Sequence, residues 1–189
     1  MKKLVLFASG SGSNVENIAN YFSSNSEVEI VEVFTNNPNA FVINRCENLG
    51  IPCTVFTRDE FVNSDIVLNK LLNLAPDLIV LAGFLWKVPS NLVSNFPNKI
   101  INIHPALLPK FGGKGMYGDN VHKAVVEAKE SKSGITIHYV NEHYDEGAPI
   151  FQAEIPVLET DTHVEVAKKV HALEYEHFPK VIEKLLFGN

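Results

Sequence analysis

The spacing of apolar residues is the feature that most constrains the fold of this chain. Short runs rich in β-branched and other apolar residues alternate with stretches of helical spacing, and such runs are typical of strands covered on both faces. The runs lie at residues 4–8, 28–35, 53–56, 78–82 and 100–103, and the helical stretches lie at residues 14–23, 40–49, 58–74 and 90–95. The alternation predicts an α/β fold with a doubly wound, mostly parallel, Rossmann-like sheet.

The pattern changes after residue 103. One helix is predicted at residues 120–129, and strands are predicted at 134–140 and 150–157 with no long helix between them. Two strands connected in this way are expected to form an antiparallel pair added to the sheet. A last helix is predicted to begin at Thr162, because Glu165 completes a capping box. No linker or repeat interrupts the chain, so we expect one domain spanning residues 1–189.

Composition excludes several classes of function. The net charge of −6 argues against a nucleic-acid-binding surface, which is usually basic. No apolar run approaches the roughly 20 residues of a membrane span, and the N-terminus does not resemble a signal peptide. Cys46 and Cys53 form neither a disulfide framework nor a C-x-x-C pair, which suits a reducing compartment. We therefore expect a cytoplasmic protein that binds neither nucleic acid nor membrane.

The strand predicted at residues 100–103 leads into a polar pair. Asn102 and His104 are two residues apart, so in an extended strand their side chains point to the same side. An amide donor beside an imidazole suits the stabilisation of an oxyanion next to a general acid or base. The alternative is a strand end whose amide and imidazole hydrogen-bond only to loop backbone.

The loop at residues 8–14 joins the first predicted strand to a helix and contains Gly10 and Gly12. Glycines let backbone approach a ligand closely, and free amides at a helix N-terminus favour an anion. The loop is not a P-loop, since no Gly-Lys-Ser/Thr follows, and it lacks the third glycine of a dinucleotide fingerprint. It is predicted to hold a phosphate, with an ordinary tight βα turn as the alternative.

Residues 82–89 leave the fourth predicted strand at its carboxyl end, where open α/β sheets bind ligands. Trp86 and its apolar neighbours are suited to lining a slot for a flat aromatic ring. The alternative is a plug of the hydrophobic core beneath a loop.

Acidic and histidine side chains crowd the region after the sixth predicted strand, at His138, Glu142, His143, Asp145 and Glu146. We reject a metal site, because neither H-E-x-x-H nor paired Cys/His spacing is present. A solvated loop is the alternative for Asp145. Thr136 shares a strand face with His138 and is a candidate to hold a water.

The last predicted helix carries a carboxylate on its apolar face. Val170, Glu174 and Phe178 follow one another at intervals of four residues. A carboxylate on a buried stripe needs a partner, and a salt bridge at the edge of the core is the structural alternative to a binding role.

Two of these motifs together resemble a known family. The stretch N-I-H-P-A-L-L-P at residues 102–109 resembles the signature of the folate-dependent formyltransferases, and S-G-S-G-S-N at residues 9–14 resembles members that act on glycinamide ribonucleotide. The resemblance implies transfer of the formyl group of 10-formyltetrahydrofolate to the amine of glycinamide ribonucleotide in purine biosynthesis, without a metal. It also implies that Asn102, His104 and Asp145 are catalytic, with Asp145 raising the pKa of the histidine.

The resemblance further implies binding residues. Those for the ribonucleotide are Gly12, Ser13, Asn14, His171, Ala172, Leu173 and Glu174. Those for the folate are Arg58, Leu85, Trp86, Lys87, Val88, Asn102, Asn141, Glu142, His143, Tyr144 and Asp145. Leu85-Trp86-Lys87 departs from the Met-Arg-Ile of the bacterial pattern, so Lys87 or Arg58 is the candidate for the folate's glutamate tail. A cis bond before Pro109 and a mobile loop at residues 110–118 are also expected.

Three rival functions are weighed. A deformylase normally adds an N-terminal regulatory domain, and a transfer-RNA formyltransferase normally adds a C-terminal RNA-binding domain; neither is expected in a chain of 189 residues. A non-catalytic binder on the same fold is expected to lack one of Asn102, His104 and Asp145, and all three are present. We therefore favour the glycinamide ribonucleotide enzyme, as a monomer or homodimer.

Overall fold

The structure, a computed structural model that describes residues 1–188, is built on one seven-stranded sheet in the order β3-β2-β1-β4-β5-β6-β7. The strands are β1 (Lys2–Phe7), β2 (Val28–Thr35), β3 (Cys53–Val55), β4 (Leu78–Leu81), β5 (Ile100–His104), β6 (Lys132–Tyr139) and β7 (Pro149–Pro156). The first five strands are parallel, while β6 runs antiparallel to β5 and β7 antiparallel to β6. The predicted fold class is confirmed.

Helices cover both faces of the sheet. They are α1 (Ser13–Phe22), α2 (Val42–Leu49), α3 (Arg58–Val62), α4 (Ile66–Leu74), α5 (Ser90–Asn95), α6 (Asp119–Glu127) and α7 (His163–Phe187). None of the helices within residues 1–188 combines the length and apolarity that crossing a bilayer requires.

The prediction of a single helix at residues 58–74 is wrong, because this segment forms two helices, α3 and α4. Asn63 ends α3, and its side-chain amide donates to Asp59 Oδ1. The hydroxyl of Ser64 donates to the carbonyl of Glu60, and Asp65 is the N-cap of α4. Of the three side chains, only that of Ser64 bonds to the backbone, and a short polar side chain that competes for a backbone carbonyl in this way disfavours continuing the helix. Asp65 makes no side-chain capping bond.

Hydrophobic core lies on both sides of the sheet, as the apolar strands predict. On β1, Leu4 and Leu6 belong to one cluster with residues of α1, α2 and α7, including the fully buried Phe178. Val5 and Phe7 belong to a second cluster with residues of α3, α4 and α5. Because both faces are covered, ligands can reach the sheet only at its ends.

Helix α7 places a carboxylate at the carboxyl end of the sheet. Its N-terminus is the predicted capping box, in which Thr162 accepts from the amide of Glu165 and the Glu165 side chain accepts from the amide of Thr162. The helix packs against α1, α6 and β6, and it buries Val170, Glu174 and Phe178. Glu174 therefore lies on the buried stripe, as its spacing predicts.

Candidate active site

The sheet reverses its strand order between β1 and β4, and the loops that follow these two strands lie side by side. The amide of Ser9 donates to the carbonyl of Gly83 at 3.1 Å, and the amide of Leu85 donates to Ser9 Oγ at 3.0 Å. A cavity of about 590 Å³ opens at this point and extends over the end of β5. Its position and size are those of a small-molecule site in an open α/β sheet.

Asn102, His104 and Asp145 meet at the floor of this cavity. His104 Nδ1 lies 3.5 Å from Asp145 Oδ2, and Asn102 Nδ2 lies 3.5 Å from Asp145 Oδ1. The imidazole of His104 is buried, with 3% of its surface exposed. The fold thus brings together the polar strand end and the distant carboxylate that the sequence singled out separately.

His138 also belongs to this cluster, although the sequence did not predict a role for it there. The antiparallel register pairs Asn102 with His138 and His104 with Thr136. His138 Nδ1 faces the Tyr139 carbonyl at 2.9 Å, so that nitrogen carries the proton and Nε2 accepts from Asn102 Nδ2 at 3.2 Å. His138 therefore orients the amide of Asn102. The sequence places His138 and Thr136 on one strand face, but it does not specify which residues of β5 they pair with, because that depends on the register of β5 and β6.

The loop between β1 and α1 requires glycine at one position. Gly12 has a φ of 72°, and a Cβ at this position would lie 2.4 Å from Val42 Cγ2. The glycine is thus needed both for the left-handed backbone and for close packing against α2. Gly12, Ser13 and Asn14 all line the cavity, as predicted for a ligand cradle.

Glu174 has two partners within the cavity wall. Its Oε2 accepts from Asn14 Nδ2 at 2.9 Å and lies 3.1 Å from His171 Nδ1. This hydrogen bond and the carboxylate charge raise the pKa of His171. The Oδ1 of Asn14 is buried without a hydrogen-bond partner among residues 1–188. His171 and Glu174 line the cavity, whereas Ala172 and Leu173, which were predicted to contact substrate, lie outside its lining.

Trp86 lies at the boundary between the hydrophobic core and the cavity. Its ring packs against Phe56 and Phe84 at centroid distances of 6.0 and 6.4 Å, and it also lines the cavity. Leu85, Lys87 and Val88 line the cavity as well. Arg58 lies outside the lining, with its guanidinium 5.5 Å from the centroid of the Trp86 ring.

The loop after β6 contributes another wall of the cavity. Asn141, His143, Tyr144 and Asp145 line it, whereas Glu142, also predicted to contact folate, does not. Residues 1–188 contain no group of three or more His, Cys, Asp and Glu side chains arranged to hold a metal ion.

The water-holding role predicted for Thr136 is wrong. Its hydroxyl donates to the Ala106 carbonyl at 2.7 Å, and it accepts from the Leu108 amide at 3.0 Å and Gln152 Nε2 at 2.9 Å. The hydroxyl is thus fully used in holding residues 106–108 against β6. The peptide bond between Leu108 and Pro109 is cis, as expected.

Comparison with known proteins identifies the family. Residues 2–182 match the Formyl transferase family. The chain belongs to this family. A phosphoribosylglycinamide formyltransferase of Haemophilus influenzae is 36% identical, over 97% of this chain and 86% of that protein. The structure named phosphoribosylglycinamide formyltransferase from Streptococcus pneumoniae superposes with a TM-score of 0.85 at 34% identity, covering 98% of this chain and 99% of that one.

Two plant relatives are longer than this formyltransferase. A chloroplastic phosphoribosylglycinamide formyltransferase of Arabidopsis thaliana is 41% identical over 96% of this chain. The chain spans 64% of the length of that relative and 61% of the corresponding protein of Vigna unguiculata.

Burial and charge act in opposite directions on His104 of the formyltransferase. Burial is the larger influence and holds the pKa of His104 below its ordinary value, while the Asp145 carboxylate and the Phe111 carbonyl raise it. The influence of Asp145 thus has the sign that the family resemblance implies, but the net pKa of the histidine is lowered. Both ring nitrogens face oxygen acceptors, so both N–H groups of the protonated imidazole have a hydrogen-bond acceptor.

Asp145 itself stays ionised. Burial alone raises its pKa, but the neighbouring imidazoles of His138 and His104 and the Gly113 amide together hold the pKa below its ordinary value. The carboxylate therefore presents a fixed negative charge to the two imidazoles at neutral pH.

The loop after β5 lies against His104 and Asp145 of the formyltransferase. His104 Nε2 lies 2.7 Å from the Phe111 carbonyl, and the Gly113 amide donates to Asp145 Oδ2 at 2.9 Å. Phe111 adopts a φ of 55°, a conformation that costs a residue other than glycine about 1 kcal/mol or more. The loop thus holds a strained residue directly against the histidine.

We expect backbone amides at residues 110–118 to exchange hydrogen at least about tenfold faster than those of β5 and β6, because much of this segment has few buried contacts. Ribonucleotide and folate together are expected to slow that exchange. Hydrogen exchange followed by mass spectrometry measures both effects. Equal protection of the loop and the two strands in the free protein would contradict a mobile loop.

Proposed function

We propose that this formyltransferase transfers the formyl group of 10-formyltetrahydrofolate to the amine of glycinamide ribonucleotide, a step of purine biosynthesis. The observation that carries the proposal is one cavity in which donors for an oxyanion lie beside acceptors for an amine: Asn102 and His104 on one side, Asn14 and Glu174 on the other. The names of the relatives support this choice of substrate. The proposal includes one domain that acts as a monomer or homodimer in the cytoplasm.

The ribonucleotide binds along α1 and α7 in this proposal. The N-terminus of α1, at Gly12 and Ser13, offers backbone amides to the phosphate. The unpartnered Asn14 Oδ1 and the carboxylate of Glu174 accept from the N–H groups of the glycinamide. A buried carbonyl oxygen without a partner is costly, so a ligand that donates to it is bound favourably.

The folate binds across the loops after β4 and β6. Leu85, Trp86 and Val88 supply apolar surface and backbone groups for the pterin, and residues 141–145 form the facing wall. Lys87 lines the cavity and is the better placed partner for the glutamate tail, because the Arg58 guanidinium lies over the Trp86 ring outside the lining.

The reaction is a direct transfer. The amine nitrogen attacks the formyl carbon, a C–N bond forms, and the carbonyl electron pair moves to the formyl oxygen. When the tetrahedral intermediate collapses, the bond between the formyl carbon and N10 of the folate breaks. The proton lost by the amine reaches N10 through a bound water, so no covalent intermediate with the protein is needed.

Asn102 and protonated His104 donate to the oxyanion. The contact from Asn102 Nδ2 to Asp145 is 3.5 Å, at the outer limit of a hydrogen bond, so this N–H is available to an incoming oxygen. At His104, the formyl oxygen replaces the Phe111 carbonyl as acceptor from Nε2 once the loop moves. Asp145 stabilises the imidazolium from the opposite ring edge.

Absorbance of the folate, followed with formylated folate and glycinamide ribonucleotide together, tests the proposal. We expect a change that needs both substrates, and mass spectrometry should show the formylated ribonucleotide. The His104→Ala variant is the matched control. Formate release without the ribonucleotide would identify a hydrolase, and formylation of methionyl-tRNA would identify the other rival.

Glu174→Gln is expected to raise the KM for glycinamide ribonucleotide by about 10–100-fold, the value of a hydrogen bond to a charged group. The KM for the folate should change little, since the folate lies against other loops. Glu176→Gln on the same helix is the control, because Glu176 is exposed and pairs with Lys180. Equal increases in both KM values would contradict the assignment of Glu174 to the ribonucleotide.

A further inference from the structure

His122, in the first turns of α6, is a buried imidazole that the proposed chemistry does not use. It is 2% exposed and lines the cavity that holds the catalytic residues. Its Nδ1 is buried and has no hydrogen-bond partner in the part of the chain that the structure describes. Buried polar atoms in native proteins are nearly always partnered, so this one indicates a group that arrives from outside the chain.

The surroundings of His122 connect it to the loop before α1. Its ring lies 6.3 Å from that of His171, and His171 Nδ1 lies 3.1 Å from Glu174, which in turn accepts from Asn14 in the first turn of α1. His122 and Ser13 line the same cavity. Two imidazoles therefore lie on the same side of the cavity as the free amides of a helix N-terminus.

Burial and neighbouring charges set the pKa of His122 in the free protein, and their net effect is to lower it. Burial is the largest influence and lowers the pKa of His122, and the neighbouring His171 lowers it further. His163 adds a weaker effect of the same sign, while Glu174 on α7 and Asp119 on its own helix act in the opposite direction. An anion placed between the two imidazoles would reverse the balance, because it favours the charged form of both.

We propose that His122 binds the phosphate of the ribonucleotide, donating a hydrogen bond to it together with the amides at the start of α1. This inference rests on the proposed function and adds a side chain to a phosphate site that otherwise consists of backbone. Glu174 and Asn14 hold the glycinamide end, whereas His122 holds the anionic end. The imidazole gains a proton as the dianion binds.

Removal of the His122 side chain should weaken binding only of ligands that carry the phosphate. His122→Leu is expected to raise the Kd for glycinamide ribonucleotide by about 10–100-fold. The Kd for the corresponding nucleoside, glycinamide riboside, should be the same in the variant and the unchanged protein. The turnover number with saturating ribonucleotide should stay within about twofold, because in this proposal His122 contacts the phosphate and not the oxyanion.

Four variants separate this role from a structural one. His177→Leu is the control, since His177 packs on Phe151 outside the cavity. His122→Leu should not lower the thermal midpoint of unfolding, because Nδ1 has no hydrogen-bond partner that its removal would leave unsatisfied. His122→Asn and His122→Gln place an amide near the positions of Nδ1 and Nε2, and one of the two should recover part of the lost affinity.

Nuclear magnetic resonance of the imidazole tests the inference without any catalysis. Titration of His122 with and without ribose 5-phosphate should show its midpoint moving to higher pH when the sugar phosphate is bound. An unmoved midpoint, no binding of ribose 5-phosphate, or equal weakening of ribonucleotide and nucleoside by His122→Leu would overturn the inference. Absence of a formylated product would overturn the proposed function instead, and would leave the shift with ribose 5-phosphate as the deciding result for His122.

Discussion

Asp145→Asn is expected to lower kcat for formyl transfer by about 10²–10⁴-fold, the usual value of general acid–base assistance. The carboxylate lies 3.5 Å from His104 Nδ1. In the proposed mechanism it stabilises the imidazolium that donates to the oxyanion. An asparagine at this position keeps the shape of the side chain and loses the charge. The KM for the ribonucleotide should change little, since the proposed function places its phosphate and amine against α1 and α7. Steady-state kinetics with each substrate varied separately measures both values.

The pH profile of the same variant provides a second test. Burial already lowers the pKa of His104, and the Asp145 carboxylate opposes that effect. Without the carboxylate the pKa of His104 falls further, so the imidazolium is lost at lower pH. The alkaline limb of kcat should therefore move to lower pH in the variant.

Asp59→Asn is a matched control, because Asp59 is exposed on α3 and outside the cavity. It should leave both kcat and the pH profile unchanged. If Asp145→Asn kept near-native turnover with an unmoved alkaline limb, under single-turnover conditions that isolate the chemical step, Asp145 would not act through the imidazolium.

Local sequence patterns predicted helices and strands well where the conformation depends only on residues within the same element. The capping box of Thr162 and Glu165 predicts the start of α7, and the spacing of Val170, Glu174 and Phe178 predicts its buried face. The break between α3 and α4 was missed because helical spacing continues across it. There the Ser64 hydroxyl bonds to the Glu60 carbonyl and Asn63 bonds to the Asp59 side chain, and apolar periodicity does not predict such polar contacts.

Contacts between distant segments were predictable only in part. The polar strand end at Asn102 and His104 was recognised from residue type and spacing, and the family resemblance added Asp145. The contact between Asn102 and His138 depends on the antiparallel register of β5 and β6, which no local pattern specifies. The bond from Asn14 to Glu174 depends on how α7 crosses α1. The need of Glu174 for a partner was predictable, but the identity of that partner was not.

The position of the loop after β5 was likewise beyond sequence reasoning. Its glycines predict freedom of movement, but they do not predict that the Phe111 carbonyl contacts His104 or that the Gly113 amide contacts Asp145. Such contacts arise from the balance of strain at Phe111 against two hydrogen bonds to buried groups. They matter for mechanism, because the oxygen acceptor beside His104 must change when the formyl group arrives.

Asn102→Ala and His104→Ala are each expected to lower kcat by about 10²–10³-fold, the value of losing one oxyanion donor. The double variant should be only slightly slower than the slower single variant. In the proposed mechanism both side chains act on one oxygen, and both lie 3.5 Å from Asp145, so we expect the loss of either one to disturb the action of the other.

A second double variant provides a comparison in which the two substituted residues are expected to act independently. Asn102→Ala combined with Glu174→Gln should lower kcat/KM by about the product of the two single losses, because Glu174 holds the ribonucleotide and Asn102 acts on the oxyanion. Thermal midpoints of all variants need to be compared first, since His104 is buried and its truncation leaves a space in the site. If the Asn102 and His104 losses multiplied as the Asn102 and Glu174 losses do, the two residues would act on separate steps, and a shared oxyanion would be the wrong description of this site.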